Sequence, residues 1–413
     1  MTVVVVGAGH GGVQAAASLR DLGYQGKIVL ADAQPHPPYQ RPPLSKSFLG
    51  DTPEQPVRGE PLRAPEFFDN HRIDLELGTA VTALCVEDHH VHTADGRTLG
   101  YTHLVLATGA TSRTLDIPGT ELEGVVELRT LADAASLRSR LRRARNILVI
   151  GGGFIGLEVA AAAAATSSVT IVEHNERLLA RAVTPIVSDA VQRAHHRAGT
   201  AILLNVGAHA LAGANGQVQQ ATLTNGTELP ADLVIIAVGV RANDSLAAEA
   251  DIHVDNGILV DDWLRTSAPN VLAIGDCVSR AESGLQTPRR LECVQNAVDQ
   301  ARHVATSIVS GSSDRYRRVP YFWTNQLNLR IQTVGLGSNH DECVILGERE
   351  LDRFSVCRFR DGQLVAVESV NRPRDHMAAR RILDEGRQLS IAEARHPGFD
   401  LKEFAVADIC SNT

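Results

Sequence analysis

The sequence predicts an α/β chain in which two Rossmann-type dinucleotide-binding modules lie in tandem, followed by a smaller C-terminal α+β part. Three observations predict it. The run Val3-Val4-Val5-Val6 leads into Gly7-Ala8-Gly9-His10-Gly11-Gly12, and Ile147-Leu148-Val149-Ile150 leads into Gly151-Gly152-Gly153-Phe154-Ile155-Gly156. Each is an apolar strand closing on G-x-G-x-x-G. An alanine-rich helical stretch follows each motif, at 13–22 and 157–165, and then a second strand, at 27–30 and 169–172. The downstream ends also match: Leu104-Val105-Leu106-Ala107-Thr108-Gly109 parallels Leu233-Val234-Ile235-Ile236-Ala237-Val238-Gly239. Both are buried-strand runs ending where a glycine lets the backbone come close to a ligand.

The motif has a definite physical content. Its first glycine allows the tight strand-to-helix turn, its second lets the backbone approach a pyrophosphate, and its third allows close helix packing. The helix N-terminus then faces the anion. Gly7, Gly9, Gly11 and Gly12 belong to the first loop, and Gly151, Gly153, Ile155 and Gly156 to the second. An acid at the end of the second strand takes the ribose hydroxyls. Asp32 is that acid in the first module and Glu173 in the second. A carboxylate at Glu173 repels a 2′-phosphate and favours NADH over NADPH, although Arg177 and Arg181 are close enough in sequence to weaken the preference.

A length of 413 residues fits two to three domains. Hydrophobic residues at 44% and charged residues at 21% exclude wholesale disorder. A net charge of −8 argues against nucleic-acid binding. The basic residues are lopsided: Lys27, Lys46 and Lys402 are the only lysines among 40. No leader-like segment precedes the first strand, and the apolar stretch 147–157 is too short and glycine-rich to span a bilayer. The expected location is therefore the cytoplasm, with no membrane association. Cys85, Cys277, Cys293, Cys343, Cys357 and Cys410 form no C-x-x-C, which argues against an iron–sulfur cluster, a zinc site or an adjacent redox pair in this chain. His10, His89-His90 and His195-His196 have no ligand companions at helical or loop spacing, so no metal is expected.

The most specific string is Tyr39-Gln40-Arg41-Pro42-Pro43-Leu44-Ser45-Lys46. Together with the glycine motifs, Ala107-Thr108-Gly109, Gly275-Asp276 and Val319-Pro320-Tyr321-Phe322-Trp323, it resembles the FAD-dependent NADH–ferredoxin reductases. The resemblance runs over essentially the whole chain. It implies a glutathione-reductase-like fold: a discontinuous FAD domain at 1–111 and 243–321, an inserted NADH domain at 112–242, and an interface domain at 322–413. In that last part, runs at 354–359 and 364–370 around Asp361-Gly362 read independently as a hairpin.

The resemblance also assigns residues. It places Lys46 beside the flavin N5 edge, paired with Glu158 of the second glycine string. A cation there stabilises electron density arriving on the ring, while the carboxylate orients the lysine near the nicotinamide. Asp276 after Gly275 would bind the ribityl chain. Val81, Arg41 and Arg129 would lie around the adenine and pyrophosphate, and Ala107, Thr108 and Gly109 along the FAD. Glu292, Val294 and Asn296 would start a helix at the flavin pyrimidine edge, with Glu292 toward the NADH. Trp323 would pack near the flavin, and Gly239 would line the NADH. The family acid for the FAD ribose falls at Ala33 here, one position after Asp32. Because strand faces alternate, either the Asp32 side chain or the Ala33 backbone would serve the ribose. The family acid near the tryptophan is replaced by Asn325.

The implied activity is electron transfer from NADH through FAD to a separate [2Fe-2S] ferredoxin that serves a cytochrome P450 or a ring-hydroxylating dioxygenase. Arg289, Arg290, Arg315, Arg317 and Arg318 offer either a patch for an acidic ferredoxin or scattered solvated charges. Other readings are a rubredoxin reductase, an NADH oxidase-type flavoenzyme, or a flavin-dependent interaction protein like the apoptosis-inducing-factor relatives. The disulphide-type relatives need a cysteine near the position of Ser45, and none is there.

Overall fold

The structure is a computed structural model that describes residues 1–50, 58–281, 288–312 and 314–407. The chain divides into two compact units: one built from 1–41, 58–111 and 240–318, the other from 42–57, 112–239 and 319–413.

The first unit is centred on a five-stranded parallel sheet. Its order is Val271–Ala273, His103–Leu106, Thr2–Val6, Lys27–Asp32, Ile73–Leu77. Strands flanked on both faces must be apolar throughout, and Val3, Val4 and Val5 have no exposed surface at all. The alanines of helix His10–Asp21 let it lie close against this core. A three-stranded antiparallel sheet, Val81–Cys85, His90–Thr93 and Thr98–Gly100, extends from it.

The second unit repeats the plan. Its parallel sheet runs Ala201–Leu204, Ser168–Glu173, Asn146–Ile150, Leu233–Ile236, Val125–Val126. In both sheets the glycine-motif strand is central, between the strand that ends in the acid and the strand that ends in the small-residue turn. The same unit holds a five-stranded antiparallel sheet built from Tyr321–Gln326, Leu329–Gly335, Gln363–Val370, Arg353–Arg360 and Glu342–Glu348. Strands Arg353–Arg360 and Gln363–Val370 are the predicted hairpin, turning at Asp361 (φ 50°) and Gly362 (φ 76°). Both turn residues have positive φ, which suits a tight two-residue turn.

Residues 42–50 belong to this second unit because Leu44, Phe48 and Leu49 are buried there, with the Arg138 guanidinium 4.6 Å above the Phe48 ring. Glu368, 2% exposed, is held by the Thr184 N–H and hydroxyl and by Arg358 at 2.7 Å. This network ties the start of helix Pro185–Arg197 to the antiparallel sheet.

One buried base in this unit makes stability pH-dependent. His376 is 2% exposed on helix Pro373–Asp384, and its Nδ1 has no hydrogen-bond partner among the described residues. Burial, then Arg380 and Arg330, push its pKa down from 6.5 to about 4. The folded state therefore binds fewer protons than the unfolded chain between these values, and stability falls as pH drops through that window. The expected loss is up to about 3 kcal/mol. Urea unfolding over a pH series checks it, and His376→Phe should flatten the slope.

Candidate functional site

The two glycine loops have the same geometry. Gly7 (φ 105°) and Gly151 (φ 111°) occupy a region that other residues rarely adopt. A Cβ at Gly7 would overlap the Ala107 carbonyl, and one at Gly151 the Ala237 carbonyl. By contrast, a Cβ at Gly9 or Gly153 would meet no atom within 4 Å. These two glycines are also the N-caps of helices His10–Asp21 and Phe154–Ala163, and neither helix has a side-chain cap. Helices Leu131–Leu141 and Pro185–Arg197 are capped by Thr130 and Thr184. The first-turn N–H groups at the two loops are thus left for an anion, with open space before them. The residues present fit a dinucleotide pyrophosphate in each module.

The acids repeat as well. Asp32 accepts the N–H of Ala8 at 2.6 Å on one oxygen and that of Gln34 at 2.7 Å on the other. Glu173 accepts the N–H of Gly152 at 2.6 Å and that of Asn175 at 2.7 Å. Each carboxylate therefore points at the middle residue of its own glycine loop. This decides the orientation that strand alternation left open: the Asp32 side chain turns toward the loop, whereas Ala33 is exposed. Arg177 donates to the carbonyls of Ala180 and Val183, so its guanidinium is engaged by its own loop.

The other first-unit candidates are spread along the loop ends of that unit. Thr108 and Asn243 exchange hydrogen bonds at 2.6 and 2.9 Å, fixing the turn through Ala107 and Gly109. Gly275 (φ 80°) donates its N–H to the buried Gln300 side chain at 2.6 Å, which sets the backbone that carries the half-buried Asp276. Val294 opens helix Val294–Ser310, and Asn296 there accepts the Tyr316 hydroxyl at 3.1 Å. Val81 and Arg41 are half-buried, with the Arg41 guanidinium 5.9 Å from the Tyr39 ring. Glu292 is exposed and pairs with Arg290 at 2.8 Å.

Lys46, Glu158, Arg129, Trp323, Ile155 and Gly239 lie in the second unit. Lys46 Nζ is 2.8 Å from Glu158 Oε1, with the carboxylate side chain 4% exposed and the lysine 24%. The Ser45 hydroxyl donates to the other carboxylate oxygen, and the Thr324 hydroxyl donates to Oε1 at 2.5 Å. A buried carboxylate needs such partners, and here one cation and two hydroxyls supply them. Arg129 is half-buried beside the Thr130 cap, where its N–H donates to Asp133 at 3.1 Å. Trp323 is half-buried on strand Tyr321–Gln326, next to Phe322, whose ring lies 4.4 Å from that of Phe154. Arg113 N–H donates to the Gly239 carbonyl at 2.9 Å.

Sequence reasoning missed Ser45 and Thr324 as partners of Glu158, and Gln300 as the anchor of Gly275. The first two are neighbours of Lys46 and Trp323, which is the signal that could have found them. Two expectations are corrected. Arg290 is not a solvated charge: its side chain is 7% exposed and donates to the Val240 carbonyl as well as Glu292. Arg315 pairs with Asp262 and stacks over Trp263 while staying exposed, as Arg317 and Arg318 are. His90, read as lacking ligand companions, has Cys85 and His92 beside it, with ligand atoms within 4.8 Å of one another. His195 is buried against Gln326. Cys85, Cys277, Cys293, Cys343 and Cys357 are free thiols, and Cys410 lies outside the described residues. Burial pushes the Cys293 thiol up to about 11, so it stays protonated.

Two dinucleotide modules of one strand order, each with an uncapped glycine-loop helix and a loop-facing acid, define a nucleotide-dependent oxidoreductase. Residues 1–301 match the family model described as pyridine nucleotide-disulphide oxidoreductase, and residues 321–405 match the one described as reductase C-terminal. The chain belongs to this family, in its branch of FAD-dependent ferredoxin reductases that use NAD(P)H. It is 42% identical to rhodocoxin reductase of Rhodococcus erythropolis, over 97% of this chain and 94% of the relative. Among solved structures, the ferredoxin reductase for the CYP199A2 system of Rhodopseudomonas palustris superposes with a TM-score of 0.94 at 40% identity, covering 98% of this chain and 99% of that one. The covalent putidaredoxin reductase–putidaredoxin complex gives 0.91 at 34% identity, covering 97% of each chain. No helix among the described residues is long and apolar enough to cross a membrane.

Proposed function

We propose that this protein takes electrons from NADH and delivers them to a [2Fe-2S] ferredoxin serving a cytochrome P450 or ring-hydroxylating dioxygenase, in the cytoplasm. The observation that carries the reading is the Lys46–Glu158 ion pair, buried and braced by two hydroxyls, in a chain of this family. FAD, when bound, accepts an electron pair and releases it one electron at a time. The first module, 1–111 with 243–321, would hold it through Gly7, Gly9, Gly11, Gly12, Asp32, Thr108 and Asp276. The inserted module, 112–242, would hold NADH through Gly151, Gly153, Gly156 and Glu173, and 322–413 would form the interface domain. Lys46 keeps a fixed positive charge for electron density arriving on a neighbouring ring, and Glu158 prevents that charge from swinging into solvent. Disulphide-type relatives need a cysteine pair or a cysteine near the position of Ser45, and the sequence has neither there, which supports single-electron delivery rather than thiol chemistry.

The test is anaerobic titration of the purified yellow protein. NADH should bleach it, and NADPH should do so far more slowly. Reduced protein should then reduce cytochrome c only when a ferredoxin is added. Equal bleaching by NADPH, or reduction indifferent to [2Fe-2S] ferredoxins while rubredoxin supports it, would overturn the assignment. The Glu173 carboxylate supports the NADH preference. Glu173→Ala removes the charge that repels a 2′-phosphate, and the NADH/NADPH ratio of kcat/KM is expected to narrow by about tenfold. Steady-state kinetics with both nucleotides measures it.

A further inference from the structure

The geometry points to a metal site on the antiparallel sheet of the first unit: Cys85, His90 and His92 form a thiolate–diimidazole set for a borderline-soft transition metal of the zinc class. The strand register builds it. Cys85 lies opposite His90, and Ala83 opposite His92. Leu84 and Val91, the intervening pair, are buried at 8% and 0% in the apolar core. Alternation then puts Cys85, His90 and His92 together on the other face of the sheet, where all three are half-buried. On the third strand, Gly100 lies opposite His90 and Thr98 opposite His92. Ala83 and Gly100 are small, so the face is open around the three ligands, and a Cβ on Gly100 would come no closer than 4.0 Å to another atom.

The distances suit one ion. His90 Nε2 and His92 Nε2 are 3.2 Å apart, with their rings nearly perpendicular at 80°. Two imidazole nitrogens on one tetrahedral zinc, each about 2.0–2.1 Å from it, stand about 3.3 Å apart. One ring nitrogen of each histidine and Cys85 Sγ fall within 4.8 Å of one another. The Thr98 hydroxyl is 3.2 Å from His92 Nδ1. As acceptor there, it keeps the proton on Nδ1 and leaves the Nε2 lone pair for a metal, the usual arrangement behind a ligating histidine. On binding, Cys85 loses its thiol proton to solvent, both imidazoles bind neutral, and water completes the fourth position. One sulfur and two imidazoles disfavour magnesium or calcium. Such an ion would clip two strands of the hairpin together.

The test uses the untagged, flavin-loaded protein, stripped with chelator and dialysed against zinc. One zinc per chain is expected by atomic absorption, with a higher Tm in zinc. Cys85→Ser and His92→Ala should lose it, whereas Cys343→Ser, on an exposed cysteine elsewhere, should keep it. Thr98→Val should weaken zinc binding by about tenfold. With cobalt alone, a thiolate-to-cobalt charge-transfer band should accompany tetrahedral ligand-field bands to the red of the flavin. Should the variants fail to fold, mass-spectrometric mapping of alkylation on the wild-type chain still decides: zinc should protect Cys85 and leave Cys343 reactive. Zinc binding no tighter than in Cys85→Ser, a cobalt spectrum without thiolate, or Cys85 alkylation indifferent to zinc would each overturn the site.

Discussion

Lys46→Ala is expected to lower the rate of NADH-driven bleaching by about a hundredfold, the scale seen when a preorganised electrostatic contact to a developing charge is removed. Stopped-flow absorbance under anaerobic conditions measures it. The Glu158 side chain is 4% exposed, and its oxygens take Lys46, Ser45 and Thr324. That environment fixes the ammonium in one position, so in the proposed role its charge would need no reorganisation. The fall should appear in the bleaching rate and much less in retained flavin, because the glycine loop, Asp32 and Thr108 belong to the other unit. Lys46→Arg should not rescue fully. A planar fork cannot replace a compact ammonium between a carboxylate and the Pro42 carbonyl, which Lys46 also approaches at 3.4 Å. Flavin loss matching the rate loss would show that Lys46 serves binding instead.

Gly151→Ala and Gly7→Ala are expected to separate the two nucleotides. Each glycine has φ above 100° and faces a carbonyl oxygen where a Cβ would stand. Strain of roughly 3 kcal/mol corresponds to about a hundredfold in binding. Gly151→Ala should leave a yellow protein whose KM for NADH rises about a hundredfold. Gly7→Ala should instead purify with little flavin and regain colour only in excess FAD. Flavin content by absorbance and KM by initial rates distinguish the outcomes. Both variants losing flavin alike would overturn the assignment of one nucleotide to each module.

Much of this was legible in the sequence because backbone geometry dictates residue type. Only glycine fits Gly7 and Gly151, and only apolar side chains fit the buried strand positions 3–6 and 147–150, covered on both faces. The duplicated module therefore showed in duplicated strings, and the hairpin at Asp361-Gly362 in its turn residues. The rarity of lysine by itself singles out Lys46 as one of only three.

What the sequence alone determined was local: two glycine turns, their acids, and a family resemblance carried by short strings. Only the tertiary structure decided which distant residues meet. Thr324 reaches Glu158 because a strand far along the chain packs against the second glycine helix, and no periodicity records that. Asp32 faces its loop because the Ala8 and Gln34 N–H groups offer its carboxylate two partners there. Arg290 is sequestered because the Val240 carbonyl and Glu292 lie within its reach. Cys85, His90 and His92 converge because antiparallel register places them on one sheet face, a relation set by hydrogen bonding between strands rather than by spacing along one.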